Sequence, residues 1–319
     1  MVDREHYLDV LLRPIPKDRL HANKRLASID SQSPDGPYEL HFEDGGTHIA
    51  DAVIGCDGIR SKIRQIVLGP ENQEHWTPQF GGFWDARGRI APQKAAELFG
   101  AELFNPEAPN ELALVGKGAL LLFQPTEGGS VYHVVVSAIA SPDFDITAWK
   151  TQLTREFLEE QYQDWDDKFR TGVIESMMAE DSGPGVVFTQ WESPGTPFYN
   201  RGGICVVGDG AHATLPWMAQ GGCLSTEDAA VMAALLGSLK DRSQVSAAME
   251  AFDHVRRERA EAVILQSREA AKLLSGQLSM DPATIARIDP KKWWMHIWAH
   301  DLEKDIKEGI ERCSATRSQ

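Results

Sequence analysis

The sequence predicts an α/β fold in which a β-rich segment interrupts an open-sheet domain and helices form the C-terminal region. Two apolar runs, at residues 52–55 and 203–207, each end in a Gly/Asp turn followed by a helix start, as in open α/β sheets. Between them, residues 76–191 carry β-branched and aromatic runs separated by Pro and Gly. From residue 225 onward almost every segment has helical spacing.

The composition excludes several classes of protein. The chain has 319 residues, with 32 Lys and Arg against 47 Asp and Glu, so its net charge is −15. This charge disfavours nucleic acid and anionic lipid as partners unless a basic patch exists, and the sequence contains none. No apolar stretch approaches the ~18 residues of a membrane span, and the start of the chain is not signal-like. The four scattered Cys form no CxxC pair, so we expect a cytoplasmic protein without a disulfide framework.

The N-terminal region predicts a helix, a short strand and a β-hairpin. One face of the opening helix carries Leu8, Leu11 and Leu12. A turn follows at residues 15–18, and a strand ends near Ile29. Residues 38–42 and 47–55 then alternate around Asp44-Gly45-Gly46, which is the pattern of a hairpin that leads into a buried strand.

The remaining elements follow from local patterns. Strands are expected at residues 119–123 and 131–136, and helical spacing covers residues 149–163. Three C-terminal helices are expected at residues 226–239, 245–274 and 290–312. The linker between the last two, residues 275–289, is the one long linker candidate.

The strongest chemical signal is the segment that begins at the strand of residues 203–207. Gly208 and Asp209 end this strand, a loop with Pro and Gly follows, and a helix starts near residues 220–223. The Asp209 carboxylate could accept hydrogen bonds from ribose or ribityl hydroxyls, and the helix start could stabilise negative charge. A plain strand-loop-helix turn is the alternative.

A second signal follows the strand of residues 52–55. Here Asp57 and Gly58 precede Ser61 at a helix start, and Arg60 and Arg64 lie four residues apart on one helix face. Helix capping by Asp57 or Ser61 would explain the acidic and hydroxyl residues, whereas anion binding would explain the arginines. The local pattern leaves both hypotheses open.

Taken together and in this order, the two segments resemble the DG and GD motifs of the class A flavoprotein monooxygenases, in particular the salicylate hydroxylase-like branch. The helix of residues 2–12 resembles the family's Arg-bearing helix, residues 81–91 resemble its strand with an Arg-Gly pair, and residues 294–307 resemble its C-terminal helix. Family members begin with a strand and a G-x-G-x-x-G turn for the FAD pyrophosphate, and no such turn occurs in these 319 residues. The resemblance therefore implies an incomplete Rossmann-like FAD-binding domain without its first βαβ unit, in a fragment or a natural truncation.

The resemblance implies a role for each cofactor residue. Arg4 would contact the FAD, while Asp57 and Gly58 would lie near the pyrophosphate and the approach of the nicotinamide. Asp209 would hold the ribityl chain. The backbone amides of Gly221 and Gly222 would lie at the pyrimidine edge of the flavin, which suits a helix N-terminus.

The resemblance also implies a substrate space. Arg87 would be the catalytic residue, because its guanidinium could pair with a substrate carboxylate or phenolate. The alternative hypothesis is that Arg87 lies on a strand and pairs with an acidic side chain at the surface. Trp84 and Trp217 are candidate pocket walls, although large apolar residues are more often plain core. His296 and His300 have a metal-ligand spacing without acidic or Cys partners, so no metal site is predicted.

Residues 1–75 and 196–240 are accordingly expected to form the FAD-binding domain, residues 76–195 a β-rich substrate domain, and residues 241–319 C-terminal helices. The implied function is an FAD-dependent, NAD(P)H-using monooxygenase, in which a flavin C4a-hydroperoxide formed with O2 hydroxylates an aromatic or related small molecule. The alternative is a degenerate, flavin-free paralogue that acts as a small-molecule binding protein or a non-redox enzyme. The sequence leaves the oligomeric state open.

Overall fold

The computed structural model describes residues 4–31, 33, 36–180, 182–183, 185–278, 281 and 290–315. Within these ranges, the side chains of residues 4–6 and 290–293 are not described. Helices and strands are mixed along the chain, as the α/β prediction requires, and nearly all of the final region is helical.

The N-terminal region forms a small antiparallel sheet, one further strand and two helices. Its elements are α1 (Arg4–Leu12), β1 (Leu26–Ser31), β2 (Tyr38–Phe42), β3 (Thr47–Ala50), β4 (Val53–Gly55) and α2 (Lys62–Leu68). The antiparallel pairing of β2 with β3 confirms the predicted hairpin, and Gly45 has the positive φ of 82° that its turn requires. The predicted apolar face of α1 is exposed at Leu8, Leu11 and Leu12.

The middle region forms a large antiparallel sheet with helices on one side. Its elements are β5 (Gln79–Ile90), α3 (Pro92–Phe99), β6 (Leu112–Gly116), β7 (Ala119–Thr126), β8 (Val131–Ile139), β9 (Lys150–Gln152), α4 (Arg155–Gln161), α5 (Asp167–Met178) and β10 (Val186–Glu192). The strand order is β6-β7-β8-β5-β10-β9. The predicted helix over residues 149–163 is wrong at its start. Residues 150–152 pair with β10, and Thr154 caps α4 by accepting the Phe157 N–H at 3.2 Å.

The chain then returns to the three-stranded sheet that contains β4, which we call the open sheet, and ends in helices. These elements are β11 (Asn200–Arg201), β12 (Ile204–Val206), α6 (Asp209–His212), α7 (Gly221–Gly237), α8 (Val245–Leu274), α9 (Pro290–Trp298) and α10 (Leu302–Ala315). The predicted bounds of α8 are confirmed. The single helix predicted at residues 290–312 is wrong, because Asp301 accepts the Lys304 N–H at 3.0 Å and begins a new helix. The predicted linker at residues 275–289 falls largely outside the described residues.

Helix α7 begins at Gly221, within the predicted helix start at residues 220–223 and five residues before the helical spacing that begins at residue 226. Its first turn contains Gly221 and Gly222, which have low helix propensity, yet the Leu224 N–H already donates to the Gln220 carbonyl at 2.9 Å. Tertiary packing explains this extension, since Leu224 is buried against Ala260 and Val263 of α8.

Helix α8 packs against both the open sheet and the large sheet. Its first half packs Ala248, Met249 and Phe252 into the core that contains the strands β4 and β12. Its last turns place Ala270 and Ala271 against Phe83 of the large sheet. The open sheet and the large sheet are therefore held in one packed body, which fixes the surfaces between them.

Candidate functional site

The two Gly/Asp turns meet at one edge of the open sheet. Strand β12 pairs in parallel with β4, with Val206 opposite Gly55, so both strands end side by side. A cleft of about 570 Å³ opens there, lined by Cys56 and Gly58 from one turn, Gly208 and Asp209 from the other, and side chains of α7 between residues 225 and 236. The carboxyl ends of parallel strands are the usual ligand-binding edge of open α/β sheets.

Glycines leave open space along this edge. A Cβ atom on Gly58 or Gly222 would meet no atom within 4 Å, and Gly58 has φ of 77°. A Cβ on Gly221 would lie 3.9 Å from Oδ1 of Asp209, so this carboxylate lies beside the first turn of α7. The Asp209 side chain has no hydrogen-bond partner among the described residues, and it is exposed. The edge thus combines a free carboxylate, a helix start and room for an elongated polar group.

Asp57 caps helix α2. Its Oδ2 atom accepts the N–H groups of Lys62 at 2.6 Å and Ile63 at 3.0 Å, and its Oδ1 accepts the Ser61 hydroxyl at 2.5 Å. The Ser61 Oγ in turn accepts the Arg64 N–H at 2.8 Å. The capping hypothesis therefore holds for both residues, and the caps fix the turn that carries Gly58.

We expect Asp57→Ala to lower the free energy of unfolding by about 1–2 kcal/mol, because two amides at the start of α2 lose their acceptor. Urea denaturation followed by circular dichroism measures this change. The matched control is Asp51→Ala, since Asp51 is exposed and approaches Arg242 only to 3.7 Å. Equal midpoints for the two variants would show that the cap contributes nothing to stability.

Arg64 connects the two turns through hydrogen bonds, and its donors point to protein acceptors rather than to an anion. Its side chain is fully buried and donates to the carbonyls of Gly210 at 3.0 Å and Ala211 at 2.9 Å, at the end of the short helix α6. Further donations reach the His75 carbonyl at 2.6 Å and the Thr196 hydroxyl at 2.9 Å. Burial lowers the pKa of Arg64 to about 10. The Arg64 side chain is therefore not available to an anion. Arg60 is exposed, and its guanidinium carbon lies 5.9 Å from the centroid of the Trp149 ring.

The large sheet has one closed and one partly open face. On β5, Trp84 and Ala86 point into a core covered by α3, α4 and α5, where Trp84 packs 4.9 Å from Phe157 and donates to Gln161. Phe83, Asp85 and Arg87 point to the opposite side, which we call the Arg87 face. The Arg87 side chain is 57% exposed, and its Nε lies 3.3 Å from Asp85 Oδ2.

A buried polar network joins the Arg87 face to the start of α7. The Gln190 amide donates to Ser137 Oγ at 2.9 Å and to Asp85 at 3.4 Å, and its oxygen accepts the Trp217 indole N–H at 2.9 Å. Burial raises the pKa of the Asp85 carboxyl, although Arg87 and Gln190 oppose this shift. Trp217 also packs edge-on against Phe83, 5.0 Å between ring centroids. Because residues 216–218 precede α7 by only two residues, the loop that carries Trp217 connects the Arg87 face to the start of α7.

The structure brings together most of the residues that the sequence singled out. Gly58 and Asp209 line the cleft, Asp57 caps the helix that follows Gly58, and Gly221 lies beside Asp209 with Gly222 next in the chain. Trp217 connects through Gln190 to Asp85, the partner of Arg87. Trp84 does not join them, because it lies on the closed face of the sheet. Arg4 begins α1, and its side chain is outside the described part of the structure.

Sequence reasoning missed two groups of residues. Gln190 was not considered, although a polar residue inside an apolar strand is a recognisable signal. The acidic residues Glu227 and Asp228 were also missed, although both bind Arg256 and Asp228 contacts His212 as well. The available signal was a pair of acidic residues within the otherwise apolar pattern of a buried helix.

Two negative findings concern the described residues alone. They contain no helix that is both long enough and apolar enough to span a membrane. In the same ranges, no three His, Cys, Asp or Glu side chains cluster as metal ligands, and His300 instead contacts Asp305 at 2.8 Å.

The chain is similar to known proteins over most of its length. A family model described as FAD binding domain matches residues 22–267. The FAD-dependent monooxygenase eupB of Phoma sp is 33% identical over 297 residues, which cover 88% of this chain and 65% of the relative. The 6-methylsalicylate 1-monooxygenase atA of Aspergillus terreus is 29% identical, over 97% of this chain and 68% of the relative. The chain thus spans about two thirds of the length of these two relatives.

A solved structure described as a salicylate hydroxylase substrate complex has the same fold. It superposes with a TM-score of 0.84 at 25% identity, covering 97% of this chain and 75% of that chain. The superposition includes both the open sheet and the large sheet, because it extends over nearly the whole chain.

Proposed function

Because the chain belongs to the FAD binding domain family, we propose that it acts as an FAD-dependent monooxygenase that hydroxylates an aromatic small molecule with NAD(P)H and O2. The observation that carries this proposal is that Gly58 and Asp209 line one cleft with α7, and that the Asp209 carboxylate lies beside Gly221 at the start of this helix. The names of the relatives, which include a 6-methylsalicylate 1-monooxygenase, support an aromatic substrate.

The residues present fit an FAD molecule in the cleft. Asp209 offers a free carboxylate for ribityl hydroxyls, and Gly221 and Gly222 open α7, where the first N–H groups of a helix have no acceptor within it. Gly58, held by the Asp57 cap, would allow the pyrophosphate to approach the turn closely. Arg4 is proposed as a further FAD contact from its sequence position.

When bound, FAD would supply the oxygen activation, with electrons from NAD(P)H. The protein's own residues would bind and orient the substrate on the Arg87 face. Asp85 holds the Arg87 guanidinium through Nε, which leaves the outer nitrogens directed away from that contact. Phe83 and Trp217 pack together in the buried apolar cluster beside this face and would keep that side of the substrate space free of water.

The test of this function is an assay of the purified chain with FAD, NADH or NADPH, and a panel of aromatic acids and phenols. Hydroxylated product that forms with consumption of NAD(P)H and O2 is the expected result. A folded chain that binds aromatic compounds but neither retains FAD nor oxidises NAD(P)H would contradict it. That outcome would favour the flavin-free binding protein instead.

We expect Arg87→Ala to raise the KM for an anionic aromatic substrate about tenfold, because a charge-assisted hydrogen bond is worth about 1.5–3 kcal/mol. Less product should form for each NAD(P)H oxidised, while FAD affinity stays unchanged. Steady-state kinetics with product quantification measures both.

The matched control is Arg89→Ala, because Arg89 lies two residues further on the same face of β5 and pairs with Glu127 on the surface. This variant should keep the wild-type KM and coupling. An Arg87→Ala enzyme with wild-type values would remove Arg87 from the substrate space.

A further inference from the structure

A fully buried arginine lies behind the cleft, at the junction of three helices. Arg256 of α8 donates through Nε to Asp228 Oδ1 at 2.9 Å and through Nη2 to Glu227 Oε2 at 2.6 Å. Its remaining terminal nitrogen, Nη1, donates to Asp305 of α10 at 3.2 Å. The Arg256 side chain is 0% exposed, so these three carboxylates on α7 and α10 are its charge partners in the described structure.

The inner carboxylate of this network holds the turn of the cleft. Oδ2 of Asp228 accepts the Gly208 N–H at 2.9 Å and contacts His212 Nε2 at 2.6 Å. Gly208 has φ of 58° and ψ of −144°, a conformation open essentially to glycine alone. The Gly208 carbonyl accepts the N–H groups of Ala211 and His212 at 2.9 Å, and the Gly208 N–H is held by this carboxylate oxygen, so Asp228 helps to set the direction in which the chain enters Asp209.

The ionisation of Asp228 agrees with its hydrogen bond to the Gly208 N–H. Burial alone would raise the pKa of the Asp228 carboxyl, but His212 and Arg256 outweigh burial and hold that pKa below its usual range. Asp228 is thus ionised as the acceptor of the Gly208 N–H. An ionised acceptor makes a shorter and stronger hydrogen bond than a neutral one.

The outer end of the network reaches the C-terminal helices. Asp305 lies in the first turn of α10 and also contacts His300 Nε2 at 2.8 Å. Arg259 connects Glu227 to the last turn of α9, because it donates to the His296 carbonyl at 3.0 Å. The side chains of Asp305 and His300 are only partly buried, so solvent reaches this end of the network.

We propose that the C-terminal helices set the FAD affinity of the cleft, with Asp305, Arg256 and Asp228 acting as positioning residues for Gly208 and Asp209. The inference rests on the proposed function, since it assigns FAD to this cleft. Loss of the Asp305 charge leaves Arg256 with only Glu227 and Asp228. The guanidinium is then drawn toward Glu227 and Asp228, and the carboxylate under Gly208 shifts with it.

The first test compares Asp305→Asn with Glu303→Gln, a matched loss of one negative charge in the same helical turn. Glu303 is exposed and takes no part in the network. Titration with FAD should give a Kd about tenfold higher for Asp305→Asn, a change of about 1.4 kcal/mol, and an unchanged Kd for Glu303→Gln. Equal Kd values for both variants would overturn the inference.

A second measurement separates this inference from the proposed function. The Val-Gly pair occurs at residues 115–116 and 207–208 and nowhere else in the sequence. Labelling with carbonyl-13C valine and 15N glycine therefore yields two amide signals, from Gly116 and Gly208. Asp305→Asn should shift the Gly208 signal and leave Gly116 in place without any FAD present, whereas Glu303→Gln should shift neither.

The outcomes are distinct. A Gly208 signal that stays in place in Asp305→Asn would overturn the inference even if the wild-type chain binds FAD. A wild-type chain that fails to bind FAD would refute the proposed function. In that case the Gly208 shift still decides whether α10 positions the turn.

Discussion

Arg256→Met is expected to lower the free energy of unfolding by about 3–5 kcal/mol, the cost of breaking a buried ion pair by removal of one partner. Methionine keeps much of the volume but none of the donors. Asp228, Glu227 and Asp305 would then face one another without the guanidinium that lies between them. Urea denaturation at neutral pH measures the effect.

The neighbouring arginine provides the control. Arg257 is about half exposed and pairs with Asp253 one helical turn away, so Arg257→Met should cost about 0.3–0.5 kcal/mol. If both variants unfold at the same urea concentration, the buried network does not stabilise the fold.

Asp209→Ala is expected to weaken FAD binding by about 10- to 100-fold. Hydrogen bonds to a charged group contribute about 1.5–3 kcal/mol each, and the carboxylate beside Gly221 would lose at least one of them. The fold should stay intact, because Asp209 makes no side-chain hydrogen bond among the described residues. Titration with FAD, followed by flavin fluorescence, gives the Kd.

A graded substitution makes this prediction sharper. Asp209→Asn keeps an oxygen acceptor without the charge, so its Kd should lie between those of the wild type and Asp209→Ala. Alanine and asparagine variants that both bind FAD like the wild type would remove Asp209 from the cofactor site.

The parts of the fold with strong local patterns could be predicted from the sequence. The hairpin around Gly45 has its turn residues and alternation in one short window, and α8 has helical spacing with no break over 30 residues. The turns at Asp57 and Asp209 could also be located. Both follow short apolar strands, and parallel strands end at the same edge of a sheet.

Other features depend on contacts that no local pattern carries. Trp84 and Arg87 are three residues apart on a strand, and only the register and the helices behind the sheet decide that Trp84 faces the closed core. Arg64 has the spacing of an anion-binding residue, yet its acceptors lie 146 and 147 residues away in sequence. The Arg256 network likewise joins residues from three helices, so the tertiary fold must be known before its role is visible.

We propose that the cleft at the ends of β4 and β12 holds a flavin. A visible absorption spectrum of the purified 319-residue chain, recorded after incubation with excess FAD and gel filtration, tests this assignment. We expect a flavin band that co-elutes with the folded protein and is lost or strongly reduced in Asp209→Ala. A folded, monodisperse wild-type chain that elutes without flavin would contradict it.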